Sequence, residues 1–273
     1  MIRKAVIPAA GYGRRLMPLT RAQPKEMLPV VHKPIIHYVV EEAYEAGIKE
    51  ILIITGRHKR AIEDYFDKAL VESNDPWSKE LEYMLEDIDI FFTRQREPRG
   101  LADAIRYAKA FVDNEPFALL LGDNITLPPC TKTLVDIYKD LKATIIALEK
   151  VSKDRISKHG IIKPIKKLEI LGHDVYRISK LVEKPKPEEA PSDLAIIGRY
   201  ILTPEIFDYI KNLKPGYGGE LQLTDALNNM AKDGIEIYGV LYKGKRYDIG
   251  DKKEWLKANI ELSEELLGSA LDL

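Results

Sequence analysis

A glycine loop rich in cations follows the apolar stretch at residues 5–7, which predicts a buried strand. Gly11 and Gly13 allow the backbone to turn sharply and to approach a ligand with bare N–H groups. Arg15 and Lys25 add side-chain charge that can neutralise phosphate oxygens. The combination predicts a binding site for a triphosphate, with a solvated basic loop as the plain alternative.

Two better-known glycine loops are excluded by the residues present. The dinucleotide-binding fingerprint requires a third glycine, where this chain has Leu16, and the P-loop requires Gly-Lys-Ser/Thr, which this segment lacks. Pro18, Pro24 and Pro29 interrupt any helical run. We therefore expect an extended segment that wraps around its ligand.

A carboxylate follows the apolar run at residues 117–121, at the end of a predicted central strand. Open parallel sheets bind their ligands at this end of the strands. A chain that binds phosphate, and whose five histidines show no metal-ligand spacing, needs oxygen ligands for Mg²⁺. Asp123 can supply them, although an ordinary turn residue is the alternative.

A second charged pair, Glu183 and Lys184, lies in a later loop that Pro185 and Pro187 hold extended. A lysine can neutralise a phosphate monoester, and an adjacent carboxylate can accept hydrogen bonds from sugar hydroxyls. In isolation the pair would suit an ordinary exposed ion pair.

Residues 11–20, GYGRRLMPLT, and residues 24–30, PKEMLPV, resemble the signature of the sugar-1-phosphate nucleotidyltransferases. The second segment is most similar to the family's UTP:glucose-1-phosphate uridylyltransferase branch. Later segments extend the resemblance over nearly the whole chain.

The resemblance implies roles for individual residues. It assigns nucleotide binding to Ala9, Ala10, Gly11, Gly13, Glu26, Gln95 and Gly100, catalysis to Arg15, Lys25 and Lys184, sugar binding to Gly160, Glu183, Lys184 and Glu220, and metal binding to Asp123 and Asp248. Seen alone, Gln95 would suit a surface loop and Asp248 a turn.

Some positions depart from the family pattern. Arg14 stands where the family usually has threonine, Ala102 replaces a usual glycine, and Asp193 replaces a frequent asparagine. We carry no role onto Arg14, and the contributions of the other two stay open. Glu220 either faces the sugar or caps a helix predicted from Leu221.

The reaction that the resemblance implies is an in-line nucleotidyl transfer that depends on Mg²⁺. Glucose-1-phosphate would attack the α-phosphorus of UTP, giving UDP-glucose and pyrophosphate, and no side chain is placed to form a covalent intermediate. dTTP could replace UTP, since Gln95 cannot by itself sense a methyl group. A non-catalytic nucleotide-sugar sensor is a further alternative, and a nicotinamide oxidoreductase has only the fold in its favour.

The elements that must position these residues alternate in type, which predicts an α/β fold: a doubly wound, Rossmann-like, mostly parallel sheet with an inserted antiparallel sugar-binding subdomain. Helices are predicted at residues 34–47, 59–70, 101–112, 134–139, 204 onward, 221–232 and 251–267, with a short one within an excursion at 72–87. Strands are predicted at 5–7, 51–54, 88–93, 117–121, 144–148, 159–162, 168–170, 175–182 and 237–242.

We expect a single domain of 273 residues. Its nucleotide-binding part would span residues 1–150, its sugar-binding part 151–250 and a closing helix 251–267. A net charge of −1, from 42 basic and 43 acidic residues, gives no general field for nucleic acid or an anionic membrane.

The sequence shows no signal peptide and no apolar run long enough to span a membrane, which predicts a cytoplasmic protein. The single cysteine, Cys130, cannot form an internal disulfide. The resemblance implies a homo-oligomer, either a dimer or a tetramer.

Overall fold

The computed structural model describes residues 1–67 and 74–267. The end of the helix predicted at residues 59–70 and the start of the excursion predicted at 72–87 lie outside the described residues. The strands are β1 Lys4–Pro8, β2 Pro29–Val30, β3 Lys33–Pro34, β4 Glu50–Thr55, β5 Asp89–Arg94, β6 Phe117–Leu120, β7 Asn124–Leu127, β8 Thr144–Lys150, β9 Gly160–Ile170, β10 His173–Glu183, β11 Leu194–Leu202, β12 Ile237–Leu241 and β13 Lys245–Asp248. The helices are α1 Ile35–Glu45, α2 Arg60–Tyr65, α3 Pro76–Glu86, α4 Leu101–Arg106, α5 Lys109–Val112, α6 Thr131–Leu141, α7 Ile206–Lys211, α8 Leu223–Lys232 and α9 Lys252–Leu267.

The central sheet has nine strands in the order β5-β4-β1-β6-β11-β8-β12-β10-β9. β5, β4, β1 and β6 form one parallel group and β8 and β12 another, and both groups run in the same direction because β11 lies antiparallel between β6 and β8. β10 and β9 form an antiparallel hairpin that continues the same sheet at its edge. The predicted α/β fold with a mostly parallel sheet is confirmed.

Helices cover both faces of this sheet because its strands are apolar on both sides. Successive side chains of a strand point to opposite faces, so Ala5 and Ile7 of β1 pack with α1 and α6, whereas Val6 packs with α4, α7 and α8. Within the described residues, no helix is both long enough and apolar enough to cross a membrane.

A two-stranded ribbon of β7 and β13 lies beyond the end of β6 and was not predicted from the sequence. Its register places Asp248 opposite Asn124, and the Ile249 amide donates to the Asp123 carbonyl oxygen at 2.9 Å. The ribbon therefore brings Asp123 and Asp248, which are far apart in sequence, to neighbouring positions.

The C-terminal helix α9 fastens the far end of the glycine-loop segment. Trp255 Nε1 donates to the carbonyl oxygen of Pro29 at 2.9 Å, and Asn259 Oδ1 accepts from the Val31 amide at 3.0 Å. Leu262 of α9 packs with Leu16 and other residues of the segment in a small separate core. The glycine-loop segment is thus anchored at both ends, by β1 at its start and by α9 at its end.

Several predicted boundaries differ from the observed ones. The helix predicted at residues 101–112 is divided at 107–108 into α4 and α5, and Pro76, expected to interrupt the excursion, begins α3. Asp75 caps that helix by accepting from the Ser78 amide at 2.9 Å, and proline is well tolerated at such a start. β11 was missed as a strand, although it is buried along its whole length.

A buried ion pair joins β11 to α1. Arg199 Nε and Nη2 donate to Glu42 Oε2 at 2.9 and 2.7 Å, and both side chains are almost completely buried. Arg199 also donates to the carbonyl oxygens of Leu121 and Asn124, on either side of Asp123. The other Glu42 oxygen accepts from the amide and hydroxyl of Thr131 at 3.1 and 2.6 Å.

Glu42 and Arg199 each shift the pKa of the other toward the ionised form. Burial disfavours both charged forms, but Arg199 and the hydroxyl donors outweigh it and hold the pKa of Glu42 below its ordinary value. In the same way, Glu42 outweighs the effect of burial on Arg199 and raises the pKa of Arg199. Each group stays ionised because the other is present.

We expect Arg199→Met to lower the free energy of unfolding by about 3–5 kcal/mol, because it leaves the buried Glu42 charge uncompensated. Urea unfolding followed by circular dichroism measures the loss. The control is Arg60→Met, which removes one partner of the exposed ion pair with Asp64 and should cost less than about 1 kcal/mol. Equal losses in the two variants would contradict the structural role given to Arg199.

Candidate active site

The glycine loop leaves β1 at the carboxyl end of the parallel strands. The backbone at Gly13 has φ 64°, and a Cβ there would come within 3.2 Å of Thr20 and 3.3 Å of Lys25. Thr20 Oγ1 donates to the Gly13 carbonyl oxygen at 2.9 Å and closes the loop. Gly11 and Arg15 are exposed, so a ligand could reach this part of the loop. The phosphate site itself stays a prediction.

The two alanines before the loop have different surroundings. Ala9 is buried and donates its amide to the Ile54 carbonyl oxygen at 2.8 Å, so its N–H group is already engaged. Ala10 lies at the edge of the core, with its carbonyl oxygen 3.0 Å from the position that a Cβ on Gly56 would take. Any N–H group that this stretch offers to a ligand would therefore come from the backbone beyond Ala9.

Lys25 and Asp123 form a direct ion pair between the glycine loop and the end of β6. Burial opposes both charges, but Asp123 and Glu26 raise the pKa of Lys25 above its ordinary value. Lys25, together with the Asn124 side-chain amide, likewise outweighs burial and holds the pKa of Asp123 low. The resemblance gave these residues different roles, catalysis for Lys25 and metal binding for Asp123, and the structure places them in direct contact.

Glu26 is buried and pairs with Lys59, whose Nζ lies 2.6 Å from Glu26 Oε2. Burial raises the pKa of Glu26 and lowers that of Lys59, and their mutual attraction opposes both shifts. Lys59 was not singled out from the sequence, where it reads as one cation among several at the start of α2. The pair fixes the Glu26 carboxylate next to Lys25.

Asp248 lies beside a cation, Arg246, that was not singled out from the sequence. Arg246, whose side chain is only 2% exposed, places Nη1 3.2 Å from Asp248 Oδ2 and Nη2 2.6 Å from Glu149 Oε1. The Arg15 guanidinium is close as well, since a Cβ on Gly250 would come within 3.0 Å of its Nη2. Asp248 is therefore held at the junction of the ribbon and the glycine loop.

The loop after β5 contains Gln95 and Gly100. Gln95 is buried, and its Nε2 donates to Asp103 Oδ2 at 2.8 Å. Gly100 has φ 114°, and a Cβ there would lie 2.5 Å from the carbonyl oxygen of Leu221, so glycine is required at this position. Backbone hydrogen bonds from Ala102 to Leu221 and from Leu221 to Arg99 join this loop to the loop before α8.

The residues predicted to bind a sugar form a second group. Gly160 and Glu183 face each other across the β9–β10 register, and Thr224 Oγ1 donates to Glu183 Oε2 at 2.6 Å. Lys184 has φ 43°, a left-handed conformation that is uncommon outside glycine, and its Nζ lies 5.2 Å from the centre of the Tyr217 ring.

Glu220 does not cap α8. It is exposed and accepts from Gln222 Nε2 at 3.3 Å, while Gln222 occupies the N-cap position without a side-chain hydrogen bond to the helix. The structure therefore excludes the capping alternative, and the sugar-facing role of Glu220 stays a prediction. Asp193 is exposed.

A cavity of about 150 Å³ connects the sugar group with the ribbon. It is lined by residues from both, among them Gly160, Glu183, Thr224, Arg246 and Asp248. A larger apolar cavity of about 220 Å³ lies elsewhere, next to Cys130, and contains none of the predicted site residues. Of the predicted site residues, Gly160, Glu183 and Asp248 line the smaller cavity, so it joins two predicted sugar-binding residues with one predicted metal ligand.

Asp123 and Asp248 suit a partial set of metal ligands. Among the described residues, no group of three or more histidine, cysteine or acidic side chains is arranged to hold a metal ion by itself. Mg²⁺ is commonly bound through one or two carboxylates, with water and substrate phosphates completing its coordination. Two carboxylates at the end of the strands fit that pattern, provided that a phosphate ligand is present.

The sequence pattern that describes nucleotidyl transferases matches residues 4–265. The chain belongs to the nucleotidyl transferase family. Members of this family use a divalent metal ion. A curated nucleotidyl transferase from Staphylococcus haemolyticus, named UTP–glucose-1-phosphate uridylyltransferase, is 46% identical over 95% of this chain and 92% of its own length.

Solved structures are similar to this chain over nearly its whole length. A UDP-glucose pyrophosphorylase complexed with UDP-glucose superposes with a TM-score of 0.90 at 42% identity, covering 97% of this chain and all of that one. A UTP-bound pyrophosphorylase of the same kind from Acinetobacter baumannii has a TM-score of 0.86 at 33% identity, covering 99% of this chain and 97% of its own.

We expect Asp123→Asn and Asp248→Asn each to weaken Mn²⁺ binding in the presence of a nucleoside triphosphate by at least about tenfold, because an amide keeps the shape of the carboxylate and loses its charge. Electron paramagnetic resonance of free Mn²⁺ measures the affinity. The partly exposed carboxylate of Asp136, which pairs with Lys139 on α6, provides the control variant Asp136→Asn. Unchanged affinity in both site variants would exclude the two aspartates as metal ligands.

Proposed function

We propose that this chain transfers a uridylyl group from UTP to glucose-1-phosphate, forming UDP-glucose and pyrophosphate. The observation that carries the proposal is the 0.90 TM-score and 42% identity with a pyrophosphorylase complexed with UDP-glucose. The uridylyltransferase name of the Staphylococcus relative, at 46% identity, supports the same assignment.

In this reaction an oxygen of the sugar phosphate attacks the α-phosphorus of UTP. The new oxygen–phosphorus bond forms as the bond to the β-phosphate oxygen breaks, and pyrophosphate leaves with the negative charge. The attacking oxygen belongs to the substrate, so no protein nucleophile is needed. The protein contributes position and neutralising charge, and loss of one such contact costs about 3 kcal/mol of barrier stabilisation.

Each group of residues has a share in this work. Gly11, Gly13, Arg15 and Lys25 hold the triphosphate and the departing pyrophosphate, while Glu26, Gln95, Gly100 and the backbone of Ala9 and Ala10 bind the nucleoside. Mg²⁺ bound to Asp123 and Asp248 would neutralise the phosphate charge. Gly160, Glu183, Lys184 and Glu220 hold the glucose-1-phosphate.

The Lys25–Asp123 pair explains how these charges coexist before substrate binds. Each group compensates the other in a partly buried place, where a lone charge would be costly. With a triphosphate bound, Lys25 can pair with phosphate oxygens, and Asp123 would then be available to hold a divalent metal ion.

Further proposals rest on the family resemblance. We assign nucleotide binding to the part of the chain at residues 1–150, sugar binding to 151–250 and a closing role to the helix at 251–267. We also infer a cytoplasmic homo-oligomer, a dimer or a tetramer, whose mass in solution sedimentation equilibrium would establish.

We expect Lys184→Ala to lower kcat by at least about a hundredfold while UTP affinity changes less than threefold, because Lys184 neutralises the sugar phosphate and not the nucleotide. Steady-state kinetics and calorimetric titration of UTP separate the two effects. The control is Lys186→Ala, which removes an exposed lysine two positions away, paired with Glu189. A collapse of UTP affinity in Lys184→Ala would place this lysine in the triphosphate site.

Nucleotide choice is tested by competing UTP, dTTP, CTP, ATP and GTP for glucose-1-phosphate. Glu26 and Gln95 meet the imide edge of a pyrimidine, so each polar group left unpaired by a wrong base reduces kcat/KM about ten- to hundredfold. We expect UTP first, dTTP tolerated and the other three poor. Efficient use of ATP or CTP would refute the base-reading roles, and a preference for dTTP would make the chain a thymidylyltransferase.

A further inference from the structure

Hydrogen bonds hold both the backbone and the side chain of Gln95. Its backbone N–H, just after β5, donates to the Thr55 carbonyl oxygen at 2.9 Å, and its side-chain Nε2 donates to Asp103 Oδ2 at 2.8 Å. Gln95 is 4% exposed and Asp103 1% exposed, so both groups of this hydrogen bond are shielded from water. The side chain has little freedom to turn.

The partners of Asp103 decide which end of the Gln95 amide faces it. Asp103 Oδ1 lies 2.7 Å from Arg106 Nη2, one turn further along α4. A carboxylate paired with a guanidinium only accepts hydrogen bonds, so the group that meets it must be a donor. The Gln95 NH₂ group therefore points toward Asp103, and the carbonyl oxygen Oε1 is turned away from it.

Asp103 is an unexpected residue for this position. Its neighbours Ala102, Ala104 and Ile105 are buried in the apolar packing of α4, where an unpaired carboxylate would be costly. A surface ion pair with Arg106, which is itself 53% exposed, does not require a carboxylate that is almost fully buried. The buried carboxylate accepts from Gln95, and its place in the first turn of α4 also favours a negative charge.

We propose that Asp103 is a positioning residue that sets the choice of nucleobase by fixing Gln95 with its carbonyl oxygen toward the base. This inference rests on the proposed function. Uracil carries a hydrogen on N3 and can donate to a carbonyl oxygen, whereas N3 of cytosine is an acceptor and is repelled by one. The fixed amide thus favours UTP and dTTP and disfavours CTP.

The variant Asp103→Asn tests this assignment. Asparagine can donate as well as accept, so it can also pair with Gln95 when the amide is reversed and presents NH₂ to the base. We expect the ratio of kcat/KM for UTP to that for CTP to fall at least about tenfold. Calorimetric titration of UDP and CDP, which involves no chemical step, should show the same change in relative affinity.

Arg106→Gln is the matched control, since it removes the ion pair and keeps a donor for Asp103. It should leave the UTP:CTP ratio within about threefold of the parent value. A second substitution, Asp103→Ser, replaces the carboxylate with a hydroxyl that both donates and accepts, and should also lower the ratio. Thermal unfolding of each variant separates a change of selectivity from a loss of fold.

The outcomes distinguish this inference from the proposed function. Equal losses with UTP and CTP in folded Asp103→Asn and Asp103→Ser would overturn the role of Asp103 while leaving the uridylyl transfer standing. If the parent protein itself showed no preference for UTP over CTP, the proposed nucleotide would be wrong irrespective of these variants. A selective fall of the ratio, absent in Arg106→Gln, supports the positioning role.

Discussion

The buried pair of Arg199 and Glu42 is the constraint on which the site depends. Two charges removed from water are tolerated only when their remaining hydrogen-bonding groups are satisfied as well. Here those groups bond to the backbone of the turn that carries Asp123 and of the start of α6. Burial of the pair therefore requires the backbone to follow this path through both segments. The geometry of the turn that carries Asp123 is thereby fixed by the requirements of the core beneath it.

Much of the fold was predictable because apolar runs and glycine or proline boundaries are local signals. The parallel strands β1, β4, β5, β6 and β8 were found from such runs. The segment of β11 was overlooked because it carries an arginine and a tyrosine, which weaken the apolar pattern of a central strand. The ribbon of β7 and β13 could not be found, since it exists only through pairing between segments more than 100 residues apart.

In the site, the sequence indicated residue types suited to the chemistry and missed the groups that hold them. Lys59, Arg246 and Thr224 act through contacts with Glu26, Asp248 and Glu183, and such contacts have no signature in one sequence. A signal was available for Asp103: an acidic residue between buried alanines on an apolar helix face needs a partner. The same reasoning applied to Glu42, within the apolar face of α1, would have predicted its buried cation.

The hydrogen bonds between the loop after β5 and the loop before α8 have a thermodynamic consequence. Ala102 donates to Leu221 and Leu221 donates to Arg99, so neither loop can be displaced without disturbing the other. A ligand that immobilises one loop removes part of the entropy that the second ligand would otherwise have to remove. By thermodynamic linkage this effect is mutual. The factor by which the first substrate raises the affinity for the second equals the factor by which the second raises the affinity for the first.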